Sequence, residues 1–105
     1  MILESAQLCV KPGREAAFES AMRAARPLIA ATPGFRGIEV RRCIEVGNKY
    51  LLLVWWDRLE DHTEGFRGSD RYQDWRARLH DFYDPFPTVE HFGPPIHGAA
   101  GPGPS

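Results

Sequence analysis

Apolar positions along this chain change their period several times, and each change marks an element. From Ile2 to Val10, Ile2, Ala6, Leu8 and Val10 fall on one side of a loose alternation and Ser5, Gln7 and Cys9 on the other, which predicts a strand. Lys11-Pro12-Gly13 reads as a turn, and Arg14 to Ala31 follows with Phe18, Met22, Ala25 and Ile29 at helical spacing. Pro27 lies inside this helix and is expected to kink or narrow its last turn, because proline has no N–H to donate to the carbonyl four residues back. Thr32-Pro33-Gly34 ends it. A second strand is predicted over Phe35 to Glu45, with Ile38, Val40 and Ile44 opposed to Glu39 and Arg41, and Gly47-Asn48 supplies a hairpin turn.

Tyr50 to Trp56 is apolar on both alternating faces. Such a strand is covered on both sides. Helices supply one cover, and a chain of 105 residues has little left for the other, so a second copy of the chain is expected to complete it. Asp57 with Glu60 three residues later has the form of a capping box. Leu59, His62 and Phe66 would then share a helical face. Gly68-Ser69 breaks that helix, and Asp70 to about Tyr83 forms the next, with Tyr72, Trp75, Leu79, Phe82 and Tyr83 as its inward stripe and His80 at the stripe's edge. Asp84-Pro85-Phe86-Pro87 is a rigid connection to a short last strand, Thr88 to Phe92. The predicted order, β-α-β-β-α(α)-β, is that of an α+β ferredoxin-like split βαβ unit, an antiparallel sheet with helices on one face. Residues 1–92 form that domain, and the Gly/Pro-rich stretch 93–105 is expected to be a flexible tail.

Composition narrows the function classes. Thirteen basic and fourteen acidic residues are well mixed, without a basic stripe, which argues against a nucleic-acid partner. No apolar run is long enough to span a bilayer, and the first residues lack the basic and long apolar segments of a signal peptide, so no membrane partner and a cytoplasmic location are expected. Cys9 and Cys43 have neither CxxC nor Cys/His metal spacing and read as two reduced thiols.

What remains distinctive is Trp55 to Phe92, which holds nine of the twelve aromatic residues and three of the four histidines. Large rings at these spacings build a core, yet many of them in one thin layer are difficult to pack without leaving a cavity, and an imidazole beside such a cavity can move protons at neutral pH. His62, on an apolar helical face, is the proposed catalytic base. Trp56, Phe66, Tyr72 and Trp75 are the candidate walls of a substrate pocket. Arg67 can meet an acidic or carbonyl group, Tyr72 or Tyr83 can hydrogen-bond a ring oxygen, and His80 lies within reach. The histidines lack the short spacings of a zinc site, so no metal is expected.

In this order and spacing the segments resemble the antibiotic biosynthesis monooxygenase family of the dimeric α+β barrels. The resemblance runs from Met1 to Phe92. It is carried by Lys-Pro-Gly-Arg-Glu-Ala-Ala-Phe after the first strand, Thr-Pro-Gly-Phe before the second, Tyr-Leu-Leu-Leu-Val-Trp-Trp-Asp, Glu-Asp-His-Thr-Glu-Gly-Phe-Arg-Gly-Ser and the closing Pro-Thr-Val-Glu-His-Phe. It implies a homodimer with two sheets face to face and a pocket in each subunit between sheet and helices. The implied chemistry needs no flavin, metal or haem, hence no cofactor: an electron-rich phenol or hydroquinone is deprotonated, its anion reduces O2, the radicals recombine on carbon, and loss of water leaves a quinone.

Many members carry His-x-x-Ser-x-His-Phe where this chain reads Phe66-Arg67-Gly68-Ser69-Asp70-Arg71-Tyr72, so both histidines of the pattern are absent. His62, one helical turn earlier, can deliver an imidazole to nearly the same space. That departure makes a non-catalytic small-molecule-binding or stress-response barrel the main alternative. A haem-degrading branch of the superfamily is a further one. Gln7, Phe66 and Arg76 stand near that branch's asparagine, tryptophan and histidine positions without matching them, and His80 lies one turn beyond.

Overall fold

The computed structural model describes residues 1–98. Strands β1 (Ile2–Cys9), β2 (Phe35–Arg42), β3 (Lys49–Trp56) and β4 (Val89–Phe92) form one antiparallel sheet in the order β2-β3-β1-β4. Helix α1 (Glu15–Ala30) connects β1 to β2. A π-helical segment (Asp61–Phe66), helix α2 (Asp70–Leu79) and a 3-10 turn (His80–Phe82) connect β3 to β4. Both connections pack on the same face of the sheet, the ferredoxin-like α+β arrangement. Residues 93–98 carry neither helix nor strand, and the rest of the expected tail lies outside the described residues.

Alternation does the sorting. On β3, Tyr50, Leu52, Val54 and Trp56 are buried beneath the helices while Leu51, Leu53 and Trp55 lie half-buried on the opposite face. On β1, Ala6 and Leu8 join the core, with Val10 just past its end, and so does Glu4, which occupies the same phase of the strand. Register completes the pattern: Glu4 stands opposite Val54 on one side and His91 on the other. From the helices, Phe18, Met22, Ala25 and Ile29 of α1 and Trp75 and Leu79 of α2 fill the layer above.

Several predicted boundaries move. Strand β2 ends at Arg42 rather than Glu45. Cys43 N–H donates to the Lys49 carbonyl (2.8 Å) and Arg42 Nε to the Gly47 carbonyl (2.6 Å), closing a loop wider than a two-residue turn, from which Ile44 points into solvent. Asn48 is drawn instead to the end of β1, where its side-chain amide donates to the Val10 carbonyl (2.9 Å). Helix α1 continues through Pro27 to Ala30, with its last turn tightened by Thr32 N–H to the Ile29 carbonyl (3.1 Å). Pro27 is exposed, so the missing donor costs no buried hydrogen bond. Helix α2 stops at Leu79, four residues before the predicted end, and Tyr83 forms a bridge to Val10 instead.

Asp57 is not a helix cap. A bulge between Phe35 and Gly37 turns Arg36 toward it, and the two form a bidentate pair (Nε to Oδ1 2.6 Å, Nη2 to Oδ2 2.8 Å) that holds the Asp57 carboxyl below its ordinary pKa. The free amide at Arg58 is met by Asp61 Oδ2 (3.1 Å). Asp61 also closes over Gly34, whose φ of 89° belongs to the left-handed region. A methyl group there would collide with the Asp61 carboxylate as well as strain the backbone. Gly34→Ala is therefore expected to destabilise the protein by at least about 1–2 kcal/mol, read as a lower urea midpoint; an unchanged midpoint would contradict this account.

Candidate functional site

A cavity of about 100 Å³ lies between the sheet and the β3-to-β4 connection. Its floor is aliphatic and comes from β1 and β3 (Ala6, Leu8, Leu52), and its rim includes Phe86 and Pro87. Of the residues singled out in the sequence, Phe66, Arg67, Tyr72, Trp75, His80 and Tyr83 line it, as does His62. The α2 stripe explains most of these: Tyr72 and Trp75 stand edge-on to Phe66, with centroids at 5.4 and 5.6 Å. His80 packs edge-on against Phe86 at 4.9 Å, and burial pulls its imidazole pKa down, with Arg76 adding to the effect. Burial pushes the Tyr83 phenol up.

Trp56, expected as a wall, does not line the cavity. It is fully buried behind the site, stacked on the His62 ring (5.4 Å, 16° between planes). Its indole Nε1–H donates to Glu4 Oε1 at 3.0 Å. Because Ile2 pairs with Trp56 across β1 and β3, the indole reaches along β1 to Glu4 and fixes the carboxyl and the imidazole together.

Glu4 is the cavity residue that sequence reasoning missed. It is 4 % exposed and lines the space alongside His62. Desolvation raises its pKa from 4.5 to about 7, against smaller lowering effects of the Trp56 hydrogen bond and the Arg67 charge. A signal was present: Glu4 sits in phase with Ala6, Leu8 and Val10 on a strand whose other face carries Ser5 and Gln7.

His62 is 3 % exposed, and each of its ring nitrogens has a polar neighbour. Nε2 lies 3.4 Å from Glu4 Oε1, and Nδ1 shares a 2.7 Å hydrogen bond with Nε2 of His91. Burial, then the charges of Arg67 and His91, depress its pKa to about 3. With imidazole and carboxyl both pushed toward their neutral forms, the 3.4 Å contact is not an ion pair near neutral pH. His62 thus lines the cavity as the middle of a row, Glu4–His62–His91, whose first two members are buried and whose last is half-buried.

The local backbone accounts for Arg67. In the π-helical turn, Arg67 N–H donates to the His62 carbonyl (3.0 Å), a five-residue step that sets the guanidinium-bearing residue one wide turn above the imidazole. Leu59, which precedes this turn, is exposed and does not share the buried face of His62 and Phe66. Ser69 and Arg71 have structural tasks. The Ser69 hydroxyl caps α2 by accepting from Tyr72 N–H (3.3 Å), and Arg71 Nε donates to the Leu28 carbonyl of α1 (3.2 Å). Among the described residues, no group of three or more His, Cys, Asp or Glu side chains is arranged to hold a metal ion, and no helix is long and apolar enough to cross a membrane.

The family model for antibiotic biosynthesis monooxygenases matches residues 1–78. The chain belongs to the antibiotic biosynthesis monooxygenase family. The uncharacterised YczJ protein of Bacillus subtilis (strain 168) is 55 % identical over 92 residues, which cover 88 % of this chain and 97 % of that protein. A Bordetella bronchiseptica crystal structure, provisionally assigned as an antibiotic biosynthesis monooxygenase, superposes with a TM-score of 0.85 at 36 % identity, over 90 % of this chain and 97 % of the other. A mutant form of SnoaB of Streptomyces nogalater, a cofactor-independent oxygenase, shares the fold (TM-score 0.77, 88 % of this chain and 90 % of that one) at 17 % identity. In this member of the monooxygenase family the positions of the two pattern histidines hold Phe66, on the cavity wall, and Arg71, tied to α1.

The raised Glu4 pKa has a stability consequence. The folded state binds this proton more tightly than the unfolded chain, so the contribution is full below about pH 4.5 and is lost as pH rises through about 7. Glu4→Gln removes the titration. Relative to the parent, the variant should gain about 3 kcal/mol between pH 4.5 and 8, measured by urea unfolding at each pH. His62 titrates in both proteins and largely cancels in the difference. A pH-independent offset between the two would show that Glu4 does not ionise in this range.

Proposed function

We propose that this protein is a cofactor-independent monooxygenase that oxidises a small, electron-rich phenol or hydroquinone with O2 to a quinone and water. The observation that carries the reading is a cavity-lining carboxyl, Glu4, with a pKa of about 7 and an imidazole beside it, inside an aromatic chamber. Proton transfer from a phenol of pKa about 10 to an acceptor at about 7 is uphill by about 4 kcal/mol. To His62 alone, at about 3, the same transfer is uphill by about 10 kcal/mol. The proton-accepting unit in this reading is therefore the Glu4–His62 pair, with Glu4 facing the substrate and His62 backing it.

Arg67 supplies a positive charge where phenolate develops, and Tyr72 or Tyr83 offers a hydroxyl to a ring oxygen. Phe66 and Trp75 hold a flat ring and keep water from the radical pair, and His80 borders the ring at the rim. The phenolate gives one electron to O2, the two radicals combine on ring carbon, and loss of water leaves the quinone. Size favours one ring: a cavity of about 100 Å³ is smaller than the ~150 Å³ engineered cavity that accepts benzene, so even a single ring requires an adjustment at the rim. A haem would demand far more room, with His80 wedged against Phe86.

The second copy implied by β3 belongs to the same proposal. Leu3, Leu51, Leu53 and Trp55 share the sheet face away from the helices, a surface suited to a homodimer. A cytoplasmic setting is also part of it, supported by Cys9 and Cys43 as free thiols.

Purified protein incubated in air-saturated buffer without added cofactor should convert a methyl-substituted hydroquinone to its hydroxyquinone faster than it oxidises 1,4-naphthohydroquinone or anthrone, with one O2 consumed and no H2O2 released per quinone formed. Glu4→Gln should lower kcat by about 100-fold or more. Saturable binding with no O2 uptake above autoxidation would overturn the enzyme and establish the non-catalytic binding protein. Sedimentation at micromolar concentration should give twice the chain mass, and Leu53→Glu should halve it; a parent that sediments as one chain would end the dimer proposal.

A further inference from the structure

His91 has no place in the chemistry described so far. It does not line the cavity, it is half-buried, and it lies on β4, the edge strand next to β1. Its Nε2 nevertheless sits 2.7 Å from Nδ1 of His62, and it stands directly opposite Glu4 in the strand register. Two imidazoles at that distance share one proton, so one ring donates and the other accepts. On its other side His62 presents Nε2 to the carboxyl at 3.4 Å. Along the row Glu4 Oε1, His62 Nε2, His62 Nδ1, His91 Nε2, the two imidazoles are hydrogen-bonded, and the carboxyl lies 3.4 Å from Nε2 in a contact that a small rotation of either side chain aligns for proton transfer. The row begins at the cavity and ends at a partly exposed ring on the sheet edge.

We propose that Glu4, His62 and His91 form a proton relay that connects the cavity to solvent at the edge of the sheet, with His91 as its outer terminus. This rests on the oxygenase reading for its role in turnover, though the relay itself can be measured without turnover. In the outward direction, Glu4 passes the proton taken from the phenol to His62 Nε2, His62 releases the proton on Nδ1 to His91 Nε2, and His91 releases its Nδ1 proton to water. No electrons move, and both rings end in the opposite tautomer. The inward direction reverses each transfer and delivers one proton to the peroxide formed on ring carbon. The ring C–H proton lost as the O–O bond breaks goes to the departing hydroxide and makes water. Phenol plus O2 giving quinone plus water has no net proton, so one outward and one inward passage per turnover restore both tautomers.

The surroundings suit such a path. Trp56 stacks on His62 from β3 and holds Glu4 on β1, so the first two members cannot drift apart. The titratable or charged groups that face His62 are Glu4 from β1, His91 from β4 and Arg67 from its own turn. The Arg67 charge disfavours an imidazolium at His62 and at His91, so a proton that enters the row is passed on rather than stored.

The test uses His91→Gln, whose amide can still hydrogen-bond His62 but cannot pass a proton along, and His91→Ala, which leaves room for added imidazole. In protein labelled with 15N in its histidine rings, exchange of the His62 ring proton with water should slow at least about tenfold in His91→Gln. In turnover, both variants should lose about tenfold or more in kcat with KM little changed, and millimolar imidazole should restore His91→Ala alone. Exchange at the parent rate in a folded His91→Gln protein would overturn the relay, whatever the activity. Parent-like kcat in both variants, or a loss in His91→Ala that imidazole leaves untouched, would also overturn it. A parent that takes up no O2 while His62 exchange still depends on His91 would remove the oxygenase reading and leave the proton path standing.

Discussion

The buried carboxyl of Glu4 is the constraint around which the site is arranged. An acidic side chain on the covered face of a strand is costly unless it is neutral or well bonded. Here the cost is met in part by protonation near neutral pH and in part by the Trp56 indole. That hydrogen bond exists only because β1 and β3 pair in a register that brings Ile2 opposite Trp56. A one-residue slip of β1 would send Glu4 to the other face of the sheet and bring Ser5 inward. The same register places His91 of β4 across from Glu4, so the sheet's pairing and the row of titratable groups are one structural fact.

Around this polar row the aromatic rings divide their work. Trp56 and Phe66 fill the layer beneath the β3-to-β4 connection, and Phe66 also turns an edge to the cavity with Trp75 and Tyr72. Tyr83 and His80, past the end of α2, close the opposite side together with Phe86. The chamber combines aromatic and aliphatic walls with a few convergent polar groups, an arrangement common to small-molecule sites. The π-helical turn matters because its five-residue hydrogen bond sets Arg67 one wide turn beyond His62, where the guanidinium charge disfavours an imidazolium.

Much of this is legible in the chain. The apolar run Tyr50 to Trp56 identifies a two-faced strand because strand periodicity is strict, and the spacing of Tyr72, Trp75 and Leu79 places the inward side of α2 for the same reason in helical form. Arg67 and His62 stand out by their neighbourhood, and both border the cavity. Glu4 escapes notice because a lone carboxylate near a strand's start is ordinarily solvent-facing, although its phase with Ala6 and Leu8 points inward. Asp57 has the sequence pattern of a cap but not the role, because the Arg36 that claims it comes from another strand, 21 residues away.

By itself, then, the sequence determined what short-range periodicity and side-chain chemistry can determine: the order of strands and helices, the α+β class, the apolar faces and the aromatic wall of a cavity. Only the tertiary structure decided what depends on which segments meet. Trp56 left the wall to hold Glu4, His62 gained a hydrogen bond at Nδ1 and a carboxyl beside Nε2, and His91 acquired a partner 29 residues away. These outcomes follow from strand register and from burial. Both are properties of the assembled sheet, and no local pattern in the chain carries them.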